Sequence, residues 1–393
     1  MVINVSQSHH AKGERPFFLL ESRLSKKPAR LYHSPIGSVV AHSAHEIIPA
    51  LETIADWQAA GDHAVGMMHY EAASAFSDLP VVPSDEPLLV FYRFTDCDFL
   101  TDDEVDAWLA LQEDPKGKSC TISHCHLRCD RTSYGEAFQK VQEAIARGDT
   151  YQVNLTSAYT WGYKGDDIAW YRLLREVQPV DYSALLAFPE HTVLSLSPEL
   201  FYEKRGTRLM TRPMKGTSKR SEDPKEDERL RAALQHCEKN RAENVMIVDL
   251  MRNDLNRVSE TGSVSVEGLC AIEAYPTVYQ MVTTVSSTVS KNTTLSELMQ
   301  ALFPSGSITG APKRRTMQCI QELEQAPRGV YTGAIGYVTP DNDQCFNIPI
   351  RTLCLRNGRG HLGVGGGLVH QSIGDQEFDE MTLKADFFMK AMT

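Results

Sequence analysis

The rhythm of apolar and polar positions changes along this chain, and the changes mark out its elements. Near the start, short strand-like runs at Phe17–Leu20 and Leu88–Phe91 flank one helix predicted around Ile47–Ala60. From Tyr134 to Arg147 the pattern predicts a second helix, capped by Thr132 or Ser133 and stopped by Gly148. Runs with β-branched alternation then predict strands at Tyr151–Tyr159, His191–Leu196, Thr277–Val289, Gly333–Val338, Phe346–Leu355 and His361–Val364. Helices are predicted between them at Asp227–Val258, broken once, and at Leu295–Leu302, Pro312–Gln325 and Gln376–Met392. The strands cluster without a regular strand–helix alternation, so the expected class is α+β rather than a doubly wound sheet.

The softest stretch, Asp96–Lys118, is acidic and ends in Asp114-Pro-Lys-Gly-Lys118, which places a domain boundary there, between 1–118 and 119–393. The net charge of −11, with no dense Lys/Arg block, argues against nucleic acid as the main partner. A small anionic substrate remains compatible with it, because a local basic pocket can sit in an acidic whole. No apolar run approaches the roughly 18 residues of a membrane helix, and the polar start lacks a signal-peptide core. The nine cysteines are scattered, and Cys120, Cys125 and Cys129 lack zinc-site spacing. Reduced thiols in a cytoplasmic protein, with no membrane partner, are expected.

Four features bear on chemistry. Gly306-Ser-Ile-Thr-Gly-Ala-Pro-Lys313 runs from a Gly/Ser/Thr loop into a helix opened by Pro312, and free N–H groups there suit a carboxylate or phosphate. On local sequence alone it reads slightly more readily as a plain loop-to-helix junction. Val364-Gly-Gly-Gly-Leu-Val369 puts three glycines in a strand, where close approach of a ligand or a bulge would explain them. Glu243 shares a helix face with Met246, Ile247 and Leu250 in a segment apolar almost all round, so it needs a cation, a proton or a hydrogen bond. Glu377 and Glu380 stand three apart on the last helix, and carboxylates from two helices without Cys or His suit magnesium better than zinc. Taken alone, Glu-x-x-Glu is more often a solvated helix start. Arg212-Pro-Met-Lys-Gly-Thr217 reads as a tight turn carrying one lysine, usually just exposed; as a nucleophile it would have to lose its proton.

Together these segments resemble the chorismate-utilising enzyme family, from about Thr132 to the C-terminus. Residues 1–118 look like that family's variable region packed on the core, with Met68-His-Tyr-Glu-Ala-Ala73 similar to a segment of its short members; residues 119–393 look like its chorismate-binding catalytic domain. The resemblance implies a large α+β fold with a β-sandwich core and helices packed outside, and a magnesium ion holding a chorismate carboxylate. Matched residue by residue, Glu243 and Glu380 look like the magnesium ligands, with Glu377 in support. Glu199, in Ser197-Pro-Glu-Leu-Phe201, is similar to the general acid/base at the leaving C4 hydroxyl. Arg351, in Ile350-Arg-Thr352, and Tyr331 look like contacts to the other carboxylate. Gly365, Gly366, Gly367, Gly216, Thr217 and Thr309 resemble groups lining the rest of the pocket.

Two positions sort the branch. Gln152, in Tyr151-Gln-Val-Asn154, stands where members that activate water carry lysine, and glutamine is typical of members that use ammonia. Lys215 stands where members aminating C2 usually carry alanine and members aminating C4 carry lysine. The resemblance thus implies amination of chorismate at C4 in para-aminobenzoate and folate biosynthesis, with Lys215 attacking C2 first and ammonia then entering at C4. Amination at C2 is the nearest rival reading, and a catalytically dead chorismate or tryptophan sensor is a rival of another class. Intact Glu199, Lys215, Glu243 and Glu380 speak against the sensor. No glutaminase nucleophile motif is visible, so a separate glutamine amidotransferase subunit is expected to supply ammonia. Two features depart from the pattern or add to it. Gln280 replaces a histidine found in several relatives, and Phe18-Leu-Leu-Glu-Ser22 is similar to a tryptophan-binding segment, read here as a strand or a pocket without regulation.

Overall fold

A computed structural model describes residues 16–390, apart from 78, 80, 81, 115–119, 276, 277 and 325. Two antiparallel sheets dominate it. In the first, neighbours run Gly310–Ala311, Gln152–Lys164, Arg359–Val369, Thr352–Arg356, His191–Ser197, Tyr182–Ala187, Phe17–Ser22, Lys27–His33 and Asp98–Leu100. In the second they run Met214–Lys219, Val278–Thr288, Arg208–Arg212, Leu200–Arg205, Gln344–Asn347, Ala334–Val338, His63–Met68, Leu89–Phe94 and Gly37–Ala41. Strands Thr121–Leu127 and Ser265–Ala274 add to Gln152–Lys164 and Val278–Thr288 respectively.

The side-chain period of two explains why so many of these strands read as continuous apolar runs. Phe18 and Leu186 pack with Val65, Met67, Phe94 and Ile335 of the other sheet, forming the layer between the sheets. Their chain neighbours Leu19 and Leu185 point the other way, into a core shared with Val105, Val141, Leu174 and Phe388 of outer helices. The second sheet is covered likewise by helices Ala44–Ala59, Glu238–Asn256 and Leu295–Leu302. The class is α+β, two sheets face to face with helices outside. Strands from before residue 100 pair within both sheets, Phe17–Ser22 on Tyr182–Ala187 and His63–Met68 on Ala334–Val338. The boundary placed at residue 118 falls outside the described residues. Among the described residues no helix is long and apolar enough to cross a membrane.

Several expectations change. The soft stretch Asp96–Lys118 contains helix Asp102–Gln112, started by a Thr101–Glu104 capping box, with Asp102, Asp103 and Glu104 in its first turn. Helix Arg131–Ala146 is capped by Asp130, whose carboxylate accepts from the Ser133 N–H at 2.8 Å, rather than by Thr132 or Ser133. The run Phe346–Leu355 is two strands, Gln344–Asn347 in the second sheet and Thr352–Arg356 in the first. The chain crosses between sheets at 348–351, with Arg351 at φ +51°. The last helix is also two, Gly374–Leu383 and Asp386–Lys390; the expected end at Met392 lies outside the described residues. Helix Glu238–Asn256 is amphipathic rather than apolar all round, with Val245 and Asp249 exposed.

The Met68–Ala73 segment anchors the loop leading to Tyr331. Glu71 is buried and accepts hydrogen bonds from the Arg328 and Gly329 N–H groups at 2.6 and 3.1 Å. Arg328 in turn donates to the Asn154 and Ile308 carbonyls and pairs with Glu324. Burial pushes the Glu71 carboxyl up to about 7, although the two N–H donors pull it back. A folded pKa raised above the unfolded value gives stability that is full below about 4.5 and is lost as pH rises through about 7. Glu71→Gln should therefore flatten the pH dependence of denaturant unfolding between those limits. Wild type should lose on the order of 3 kcal/mol relative to the variant across that window. Parallel pH curves for the two proteins would remove this role.

Candidate active site

Lys215 does not sit in a tight turn. It lies in strand Met214–Lys219, where Met214 pairs with Val282 but Thr217 pairs with Gln280, so one extra residue bulges out between them. Gly216 takes φ +77° there, a backbone conformation that suits glycine. Gln280 clamps the bulge from the neighbouring strand: its amide nitrogen donates to the Gly216 carbonyl at 2.8 Å, and the Thr217 hydroxyl donates to its amide oxygen at 2.7 Å. With both ends of its amide engaged, Gln280 positions the lysine strand.

The glycine strand Arg359–Val369 pairs with Gln152–Gly162 without a register shift, which leaves close approach rather than a bulge to explain its glycines. A Cβ on Gly367 would lie 3.1 Å from the Gln152 amide nitrogen and 3.4 Å from the Lys215 Nζ. A Cβ on Gly366 would meet the Lys384 Nζ at 3.5 Å and Glu377 Oε2 at 3.8 Å. Bare backbone at these positions leaves room for a cluster of polar heads. Gln152 itself is fully buried, and neither its amide oxygen nor its nitrogen has a hydrogen-bond partner. An amide left open at both ends in the interior costs free energy until a ligand or water fills it.

Glu199 follows Ser197 and Pro198 at the start of strand Leu200–Arg205, held by its own N–H to the Ser197 hydroxyl at 3.1 Å. Its carboxyl is buried, and Oε1 has no hydrogen-bond partner. Burial raises its pKa, while a hydrogen bond from Ser307 and the charge of Lys215 work against the rise. That combination suits a proton donor. Tyr331, buried against Gly363 and within electrostatic reach of Glu199, is held neutral by burial.

The three acids converge from two helices. Burial raises the Glu243 carboxyl, Lys215 and Lys239 pull it down, and Glu377 and Glu380 push it up again. Glu377 is buried and accepts from the Ser372 hydroxyl at 2.7 Å and from Lys239 at 3.5 Å. At Glu380 burial works against ionisation, but Lys384, 3.0 Å away, together with Lys239 and Lys215 outweighs it and the pKa falls. Among the described residues no three Asp, Glu, His or Cys side chains stand close enough to hold an ion as they are. Lys239 and Lys384 take the place of a cation. The donor set is nonetheless all oxygen, and magnesium characteristically takes one or two carboxylates and completes its shell with water and substrate. In donor chemistry the residues fit that ion.

Arg351 is the cation of a second region. It lines a cavity of about 150 Å³ with Pro198, Met214, Thr217 and Gln280, whose lining includes neither Glu199 nor Lys215. Burial pushes its guanidinium below the usual arginine range, and no acidic group offsets this. An arginine so placed calls for an anion. Other expected residues are spent elsewhere. The Thr309 hydroxyl donates to the Ser305 carbonyl at 3.0 Å, within its own loop. Lys313 is half-buried and paired with the buried Asp254, so the loop before it does not gain its charge. Glu21, in Phe17–Ser22, is buried against Arg175 and Tyr171. Sequence reasoning missed Lys239, Lys384 and Ser307 and used Gln152 only to sort the branch. The spacings Lys239–Glu243 and Glu380–Lys384, each four residues on one helix, were the available signal.

The chain belongs to the chorismate binding enzyme family, whose model matches residues 15–390. Among its relatives, aminodeoxychorismate synthase component 1 of Escherichia coli (strain K12) is 36% identical over 346 residues, 84% of this chain and 76% of that protein. The aminodeoxychorismate synthase of Streptomyces griseus is 44% identical over 272 residues, 69% of this chain but only 38% of that longer protein. An anthranilate synthase component 1 of Haloarcula marismortui is 40% identical over 264 residues, 67% of this chain and 54% of that one. The fold is similar to that of anthranilate synthase component I from Streptococcus pneumoniae TIGR4, with a TM-score of 0.79, 24% identity, and 92% and 91% of the two chains covered.

Proposed function

We propose that this chain aminates chorismate at C4, giving 4-amino-4-deoxychorismate for para-aminobenzoate and folate synthesis, with ammonia supplied by a separate glutamine amidotransferase. The observation that carries the reading is Lys215: its amine lies beside the bare backbone of Gly367 and the open amide of Gln152, within electrostatic reach of the buried Glu199. A pocket that only bound chorismate would need neither a nucleophile nor a buried acid. In the first step the free amine of Lys215 forms an N–C2 bond, both ring double bonds shift by one position (C1=C2 to C1=C6 and C5=C6 to C4=C5), and the C4–O bond breaks. Glu199 gives its proton to the departing hydroxyl, which leaves as water. Ammonia then forms an N–C4 bond, both ring double bonds shift back, the C2–N bond to Lys215 breaks, and the surplus proton returns to Glu199. The net change is one hydroxyl for one amine.

Arg351 and Tyr331 are the groups to orient a substrate carboxylate, and Gln152 the group to hold ammonia or the ring edge. Magnesium held by Glu243 and Glu380, with Glu377 in support, would supply positive charge to the other chorismate carboxylate. The names of the component 1 relatives support a two-component arrangement. Nine free cysteines suit the cytoplasm.

The test is the product. With chorismate, magnesium and ammonium at alkaline pH the chain should form the 4-amino compound, identified by mass spectrometry. With glutamine it should be inert until a cognate glutaminase subunit is added. A 2-amino product would transfer the chain to the anthranilate branch, and unaided glutamine hydrolysis would overturn the two-subunit reading.

A further inference from the structure

Lys239 has no part in the chemistry above, yet it stands among the acids assigned to the metal. It projects one turn before Glu243 on helix Glu238–Asn256, with its Nζ 4.0 Å from Glu243 Oε1 and 3.5 Å from Glu377 Oε1. It thereby joins carboxylates from two helices far apart in sequence. Its surroundings differ from those of Lys384, the lysine beside Glu380. Lys384 donates to the Gly365 carbonyl at 2.9 Å besides meeting Glu380, and is fastened to the sheet. Lys239 meets carboxylates only, and its side chain is 43% exposed while that of Glu377 is 6% exposed. Its stem therefore lies on the solvent side and its charge on the buried side.

We propose that Lys239 is a built-in counter-cation: it neutralises Glu243 and Glu377 in the metal-free chain, gives way to magnesium, and so sets the affinity of the site. The inference rests on the assignment of Glu243 to magnesium. Three acids gathered in a partly buried place repel one another, and without a cation the helices carrying them are driven apart. An ammonium on a flexible stem is a suitable temporary partner, because it can swing into water, where it is strongly hydrated. An ammonium and a divalent ion cannot share one carboxylate pair without repulsion, so entry of the ion requires the lysine to leave.

Calorimetric titration of magnesium into the full chain, without chorismate, tests this. Lys239→Met should bind magnesium roughly fivefold more tightly than wild type, the upper end for a half-exposed ion pair. Its metal-free melting temperature should be lower, and the rise on adding magnesium larger. Lys239→Gln should behave alike and serves if the methionine variant folds poorly. Unchanged or weaker magnesium binding in both variants would overturn the proposal, as would a defect confined to KM for chorismate, which would make Lys239 a substrate contact. Glu243→Gln separates this failure from failure of the metal assignment. If it binds magnesium as wild type does, or if wild type binds none, Glu243 does not hold the metal and the exchange falls with it.

Discussion

Lys215→Arg should yield no detectable 4-amino product, although it keeps the charge and most of the length of the side chain. Guanidinium stays protonated and cannot serve as a nucleophile, so charge retained without a free amine is the diagnostic change. The strand bulge should tolerate the substitution, since Gln280 holds it through the Gly216 carbonyl and the Thr217 hydroxyl rather than through residue 215. Lys215→Ala should slow C4 amination on the order of 10³-fold or more, the scale expected when a covalent nucleophile is removed. It also opens C2 to ammonia, and some 2-amino product should accompany the loss. Withholding ammonia from wild type should trap the lysine on the ring, seen by intact-protein mass spectrometry as an adduct that maps to Lys215. Substantial activity in the arginine variant, with no adduct in wild type, would mean that the lysine acts only by its charge.

The second large effect is expected at Glu199. Glu199→Gln keeps the shape and a hydrogen-bonding head but has no proton to give, and kcat should fall about 10²- to 10⁴-fold. The pH dependence carries the mechanism. Burial raises the Glu199 pKa, so its acid form persists above the usual carboxylate range and is lost as pH rises through the raised value. At constant free ammonia, wild-type kcat/KM should fall on that alkaline side, and the Gln variant should lack this limb. Holding free ammonia constant matters, because its own supply grows with pH. An unchanged profile in the Gln variant would assign the proton to another group. Tyr331 is the nearest alternative, and burial keeps it from ionising.

Elements whose limits depend on a few neighbouring residues were legible in the sequence. Helix Leu295–Leu302 has the expected bounds because its start is a local capping box of Thr294 and Glu297 and its apolar period is short-range. A single break in the long helical run Asp227–Val258 was also expected, but its place was not: the structure puts it at Cys237, where no side chain caps the second helix. Phe346–Leu355 was not legible, because nothing within that run says that its two halves belong to different sheets. The α+β class follows from the order of periods along the chain. The family was legible in motifs scattered over some 240 positions, since each motif is short and keeps its residue types whatever surrounds it.

The sequence by itself therefore determined which residue types are present for chemistry: an acid after Ser197-Pro198, a lysine before Gly216, carboxylates on two helices, and three glycines in a strand. Only the tertiary structure decided what those residues meet. It set the Lys215 amine against Gln152 and Gly367, left one Glu199 oxygen and both ends of the Gln152 amide without partners, and spent the Thr309 hydroxyl on its own loop. It also brought Lys239 to Glu377 across 138 positions of chain. The physical reason is range. Helical and strand periods, caps and turns arise from interactions within a few residues, and a single chain displays them. Desolvation, charge pairing and unsatisfied hydrogen bonds depend on groups that become neighbours only when two sheets and their helices close around them.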